Sequence, residues 1–268
     1  MNTVDVGGLR IAYEREGSGP PLVLLSGYVG DGPGTFRPQL DALSDQFTVV
    51  AWDMPGSGRS SDPPETFRLP DFADCLAGFM AAIGVDQAHV LGLSFGGGLA
   101  LEFCRRNPET LRSLILVSAY AGWSGSLPAD EVEFRLNQVL GLADLPADRF
   151  TEAVAPTMFT PSAPAELVEA FTESVSRFHP TGLRAMARAF AEADLRDVLS
   201  EIHVPTLLLY GDADVRAPLD VAHGMHAAIP GSKLVVLPGV GHVISVEAPE
   251  RFNDEVRAFL LGVEGDPA

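Results

Sequence analysis

Gly92-Leu93-Ser94-Phe95-Gly96 places a serine between two glycines. The apolar run Ala88-His89-Val90-Leu91 precedes it, and Gly97–Phe103, which reads as a helix, follows. A hydroxyl held on so tight a strand-to-helix turn is the arrangement that presents a nucleophile to an acyl carbon. Side chains larger than hydrogen at the flanking positions would collide with the strand or the helix. The strained backbone lifts the hydroxyl above the sheet, where a histidine and a substrate can both reach it. In a chain with 27 glycines the spacing alone also fits a glycine-rich turn carrying a solvated serine, so its partners decide.

A serine hydroxyl attacks poorly until a base takes its proton, and the base needs an acid that fixes its tautomer. On this type of turn the order along the chain is Ser, then Asp or Glu, then His. His242 sits in Gly239-Val240-Gly241-His242, after the apolar run Lys233–Leu237, and is the expected base. The other five histidines read as structural: His89 before the strand leading to Ser94, His179 before Pro180 in a loop, His203 at the start of a strand, and His223 and His226 on a solvated helix face. The spacing of His223 and His226 would suit a metal, but no third ligand accompanies them, so no metal is expected. The acid should follow the buried run Thr206–Tyr210, in Gly211-Asp212-Ala213-Asp214-Val215-Arg216-Ala217-Pro218. Loop placement leaves both Asp212 and Asp214 open.

Gly211, Asp214 and Pro218 follow a G-x-x-D-x-x-x-P pattern, and Asp53-Met54-Pro55-Gly56-Ser57-Gly58-Arg59-Ser60 follows D-x-P-G-x-G-x-S. With the Ser94 pentapeptide and Gly241-His242 followed by Glu247, Pro249, Glu250 and Phe252, nearly the whole chain resembles the α/β-hydrolase superfamily, in particular its capped serine esterase and haloperoxidase-like branch. The resemblance favours Asp214 over Asp212 as the acid.

Acyl transfer also needs donors aimed at the oxygen that becomes negative. One is expected from the backbone N–H of Phe95, the residue after the nucleophile. The second, by the resemblance, is the N–H of Tyr28 in the loop after Leu22–Leu25. The family carries His-Gly where this chain has Ser26-Gly27. The expected hole uses backbone amides, so the change leaves it intact, with the Ser26 hydroxyl anchoring the loop in another way. The Tyr28 ring can either point into the site or pack on the loop.

Strands are expected at Thr3–Val6 and Arg10–Glu14, joined by Gly7-Gly8, then at Leu22–Leu25, Phe47–Trp52, His89–Leu93, Leu114–Ser118, Thr206–Tyr210 and Leu234–Leu237. Helical patterns lie between most of them: Asp71–Ile83, Gly97–Arg106, Leu219–Ala228 and Pro249–Leu261. Strands alternating with helices imply a mostly parallel, eight-stranded sheet covered on both faces, the α/β class. Ser94, Asp214 and His242 each follow a strand's carboxyl end, where open α/β sheets place their sites. From about 121 to 200 no strand is apparent. Helices are expected at Ala129–Leu142, Asp148–Ala155, Ala165–Phe178 and Thr181–Ala191, punctuated by prolines. The expected division is a core of 1–120 and 201–268 with 121–200 inserted; by the resemblance the insertion caps the site. Trp123, Phe134, Met158 and Phe159 are expected to line its pocket. The tail after Leu261 reads as frayed.

The chain has 268 residues, 46% of them hydrophobic, which suits one large core with one insertion. A net charge of −18 with a single lysine, Lys233, argues against nucleic acid and anionic membranes as partners. No apolar run is long enough for a membrane helix. The first residues carry no basic, apolar leader, and Cys75 and Cys104 read as free thiols in helices. A cytoplasmic protein is expected, as monomer or homodimer, with a small-molecule substrate and no cofactor.

The resulting expectation is a serine hydrolase of a carboxylic ester or lactone of a small, fairly hydrophobic molecule. Alternatives sharing the triad are a carbon–carbon bond hydrolase, for which Arg177, Arg184 and Arg188 are candidate anion holders, and a cofactor-free haloperoxidase-like enzyme. Epoxide and haloalkane hydrolysis are disfavoured, since those relatives use aspartate as nucleophile. From another class, a small-molecule receptor could retain the triad.

Overall fold

The computed structural model describes residues 1–265. Two strands, β1 (Asn2–Val6) and β2 (Leu9–Glu16), form an antiparallel hairpin across Gly7-Gly8. They are followed by β3 (Pro21–Leu25), α1 (Gly32–Leu43), β4 (Thr48–Trp52), α2 (Leu69–Ala82), β5 (Ala88–Leu93), α3 (Phe95–Arg106) and β6 (Leu111–Val117). Between β6 and β7 (Thr206–Gly211) the chain is helical: α4 (Ala129–Leu142), α5 (Ala147–Val154), α6 (Ala165–Val175), α7 (Pro180–Glu192) and α8 (Arg196–Leu199). The chain closes with α9 (Leu219–Ala228), β8 (Lys233–Leu237), α10 (Ile244–Glu247) and α11 (Pro249–Gly265). All eight strands join one sheet in the order β1-β2-β4-β3-β5-β6-β7-β8, parallel from β4 onward.

The central strands are apolar along their whole length because helices cover both faces. Every residue of β4, β5 and β7 is buried. Burial of this continuous layer is the main stabilising contribution.

Several expected boundaries move. Helix α1 falls where a loop was expected, because Gly32, Pro33, Gly34 and Pro38 disguise it. Asp31 caps its first turn, accepting from the Gly34 N–H at 2.6 Å, and Pro33 sits at the start, where its missing N–H costs nothing. Pro38 is accommodated by a kink at Phe36 (φ −125°, ψ 20°). Helix α3 begins at Phe95 rather than Gly97, with its three glycines inside the helix. Helix α11 continues past Leu261 to Gly265, so that stretch is ordered helix and not frayed chain; positions 266–268 lie outside the described residues. His89 lies within β5, not before it, fully buried between Ser113 Oγ (2.8 Å) and Glu264 Oε1 (3.0 Å). Cys75 and Cys104 are buried free thiols on α2 and α3.

The helical segment docks on the core through α7, which packs on α2 and α3, and α6, which packs on α1 and α10. Gly182 in α7 meets Gly56 so closely that a Cβ on Gly182 would lie 2.1 Å from the Gly56 carbonyl oxygen. Among the described residues no helix is long and apolar enough to cross a membrane.

The turn containing Gly56 is organised by Asp53. Its carboxylate accepts from the N–H groups of Gly32 (3.0 Å) and Arg59 (2.9 Å). Burial, reinforced by the Asp31 charge, pushes this carboxyl up to about 6 despite those amides. The folded form therefore holds its proton to higher pH than the unfolded chain, whose ordinary value is 3.8. This contribution to stability is complete below about pH 3.8 and is lost as pH rises through about 6. Denaturant titrations of wild type and Asp53→Asn should show the wild type losing about 3 kcal/mol relative to the variant across that window, with no further change above it. A difference independent of pH would contradict this.

Candidate active site

Strand register brings the site together. Leu25 pairs with Gly92, so the Ser26–Tyr28 loop emerges beside Ser94, and a Cβ on Gly27 would lie 3.7 Å from Ser94 Cβ. Gly211 pairs with Leu237, which sets the Asp214 loop beside the loop carrying His242.

Ser94 has φ 54° and ψ −112°, a region side-chain-bearing residues rarely adopt. Both flanking glycines are sterically required: a Cβ on Gly92 would sit 2.2 Å from the Gly96 carbonyl oxygen, and one on Gly96 would sit 2.2 Å from that of Leu25. The strain is held by β5, by α3 and by a hydrogen bond from the Ser94 N–H to the Val117 carbonyl (2.8 Å).

His242 Nδ1 lies 2.8 Å from Asp214 Oδ2, and both residues are buried. The other carboxylate oxygen, Oδ1, accepts from the N–H groups of Arg216 (2.8 Å) and Ala217 (2.9 Å). Burial by itself would raise this carboxyl; the His242 ring and the two amides more than offset it and hold it below the ordinary carboxylate range. Asp214 is thus an anion at neutral pH, Nδ1 carries the proton that it accepts, and Nε2 is left as the acceptor nitrogen. Ser94 Oγ makes no hydrogen bond to Nε2 here; such contacts are often loose without substrate and tighten with it. Asp212, the other candidate, is exposed and accepts from the Gly239 N–H at 2.6 Å, outside this cluster.

The His242 loop is clamped from two sides. The Met158 carbonyl accepts from the N–H groups of His242 (2.9 Å) and Val243 (3.2 Å), and Ser118 Oγ donates to the His242 carbonyl (3.1 Å). Ser118 is fully buried and, with Ser94, is one of two non-glycine residues at positive φ among the described residues, at 44°. Glu247 fastens the same loop to the insertion, accepting from the Gly241 N–H (3.0 Å) and from Thr160.

The backbone N–H groups of Tyr28 and Phe95 donate to no protein group among the described residues. Ser26 Oγ is buried without a hydrogen-bond partner, so it does not anchor its loop as expected. The loop is held instead through the Tyr28 ring, which packs edge-on against Trp123 (centroids 6.2 Å apart) and whose hydroxyl accepts from Arg216.

A cavity of about 190 Å³ opens onto Ser94 and His242. Trp123 and Phe134 line it as expected, with Phe134 61% exposed at its rim. Met158 lines a small annex that also opens onto Ser94 and His242. Phe159 lines neither space; its ring packs edge-on against Phe171 of α6. Sequence reasoning missed the polar wall: Tyr120, Glu131, Arg135, Gln138, Thr157 and Arg216. Only Arg216, two residues after the candidate acid, carried a signal that could have placed it there. Tyr120, its hydroxyl pushed up to about 12 by burial, donates to the Arg216 carbonyl. Of the three arginines expected as candidate anion holders, Arg177 pairs with Glu173 and Asp31, Arg184 pairs with Asp144, and none of Arg177, Arg184 and Arg188 lines the cavity.

A profile described as the alpha/beta hydrolase fold matches residues 20–249. The chain belongs to this family. A protein of Caulobacter sp. (strain K31), named provisionally as the carbamate hydrolase RutD, is 31% identical over 98% of this chain and 99% of its own length. A thermophilic esterase from Thermogutta terrifontis, solved with malate bound, superposes with a TM-score of 0.90 at 29% identity, covering 98% of this chain and 99% of its own. The esterase EaEST from Exiguobacterium antarcticum gives a TM-score of 0.85 at 25% identity over 96% and 98% of the two chains. The mostly parallel sheet flanked by helices is the fold that these relatives share.

Proposed function

We propose that this alpha/beta hydrolase cleaves a carboxylic ester or lactone of a small molecule through an acyl-enzyme on Ser94. The observation that carries the reading is Ser94 at positive φ, facing the same cavity as a His242 ring whose Nδ1 is hydrogen-bonded to the buried anion of Asp214. His242 Nε2 takes the hydroxyl proton as Ser94 Oγ adds to the acyl carbon. The oxygen of the tetrahedral intermediate is received by the Phe95 and Tyr28 amides, which have no other protein partner among the described residues. Collapse expels the alkoxide, which leaves with the proton from His242. Water then enters and gives a proton to Nε2 and its hydroxide to the acyl carbon; collapse releases the acid, and Ser94 Oγ leaves with the proton from Nε2. Helices α4 to α7 form the cap over this chemistry, and the cavity volume, below the roughly 300 Å³ at the lower end of drug-sized sites, suits a small substrate.

The names of the relatives support hydrolysis at an acyl carbon and include both esterases and a carbamate hydrolase. Incubation with a fluorophosphonate, followed by peptide mass analysis, tests the reading. One covalent adduct is expected, on the peptide containing Ser94, and none on Ser94→Ala. Wild type left unlabelled, or labelled elsewhere, would refute the assignment.

A further inference from the structure

Arg216 is the one cavity-lining cation without a carboxylate partner among the described residues. Arg135, on the same wall, is matched by Glu131 at 2.6 Å. The Arg216 guanidinium instead donates to two neutral hydroxyls, Thr157 Oγ1 at 2.8 Å and Tyr28 Oη. It has five N–H donors, so three remain for a ligand. The Tyr28 hydroxyl accepts from Arg216 and donates to no protein group among the described residues, which leaves its proton for a ligand in the spaces that Tyr28 lines. Arg216 also lines both the main cavity and the annex, and Ser94 and His242 line both with it.

A half-buried guanidinium with unused donors beside a nucleophile is an unmatched charge that a ligand of opposite sign would complete. Its planar fork suits the two oxygens of a carboxylate. With Arg135 and Glu131 neutralising each other on the same wall, the single unmatched positive charge suits a singly charged group better than a doubly charged one such as a phosphate. The backbone that carries the guanidinium is held at both ends of the residue. The Arg216 N–H donates to Asp214, and the Arg216 carbonyl accepts from Tyr120 and from Arg135 at 3.0 Å. We propose that Arg216, with the Tyr28 hydroxyl, is a carboxylate-recognition subsite, so that the favoured substrate is an ester or lactone that also bears a free carboxylate. The proposal deepens the hydrolase reading and rests on it for the identity of the bond cleaved.

The test compares methyl hydrogen glutarate, an anion at pH 7, with neutral methyl valerate of the same chain length. Calorimetric titration of Ser94→Ala, which removes the attacking hydroxyl, should find the anion bound about 10- to 100-fold more tightly. The preference should vanish in Ser94→Ala/Arg216→Gln and survive in part in Ser94→Ala/Arg216→Lys. The kcat/KM ratio of the two esters on the wild type and on Arg216→Gln should move the same way, whatever the absolute rates. Equal binding of both ligands, or a preference that persists in both Arg216 variants, would overturn the subsite. Preferential binding of the anion with no turnover by the wild type would sustain the subsite and sink the hydrolase reading instead.

Discussion

Ser94→Ala should abolish ester turnover, lowering kcat by about 10⁶-fold, the scale on which a triad loses rate without its nucleophile. The substitution removes one oxygen from a position that already tolerates φ 54°, and it leaves untouched the Asp214–His242 pair and the amides of Tyr28 and Phe95. The variant should therefore fold and bind substrate, and the loss should appear in kcat with KM nearly unchanged. Steady-state assay on a panel of short- and long-chain nitrophenyl esters and lactones reads this directly. Retention of turnover near the wild-type level would exclude the acyl-enzyme. Tight binding of a small molecule with negligible turnover in both proteins would instead favour a receptor that has kept the triad.

The fold was legible because its dominant signals are local. Buried parallel strands must be apolar throughout, and runs such as Leu22–Leu25 and Thr206–Tyr210 have no other reading. The elbow was legible for a steric reason: only glycine fits at positions 92 and 96 once Ser94 is placed between strand and helix. Helix α1 was hidden because propensity and structure disagree there. Two glycines and two prolines look like a loop, whereas an Asp31 cap and a kink at Phe36 make them a helix.

The cavity walls were less legible because they are tertiary. Thr157 and Arg216 stand 59 positions apart, and Tyr28 and Arg216 stand 188 apart, yet their hydrogen bonds shape one wall. No period or spacing announces such contacts. Adjacent apolar side chains of the insertion can differ in role with the same sequence pattern: Met158 lines the annex, whereas Phe159 packs on Phe171 and lines neither space. Loop placement alone left Asp212 and Asp214 open, and only the resemblance favoured Asp214. Which carboxylate meets the His242 ring and the Arg216 and Ala217 amides is a property of the folded turn.

Asp214→Asn should lower kcat by about 10⁴-fold, and the hydrogen bonds around the carboxylate dictate why. Oδ1 receives two backbone N–H groups, so the amide oxygen of an asparagine must occupy that position. The amide nitrogen is then left facing His242 Nδ1, 2.8 Å away, where it can only donate. His242 must accept at Nδ1, and its single proton moves to Nε2, the nitrogen that has to take the proton from Ser94. The buried anion that would have stabilised the imidazolium is also gone. The side chain keeps its size and its contacts to the turn, so the loss is expected in kcat and not in folding. Asp212→Asn is the matched comparison. Its carboxylate accepts only from the Gly239 N–H among the described residues, the amide oxygen can replace that bond, and turnover should stay within about twofold of the wild type. Equal losses in the two variants would remove Asp214 from the triad and return the choice between the aspartates to open ground.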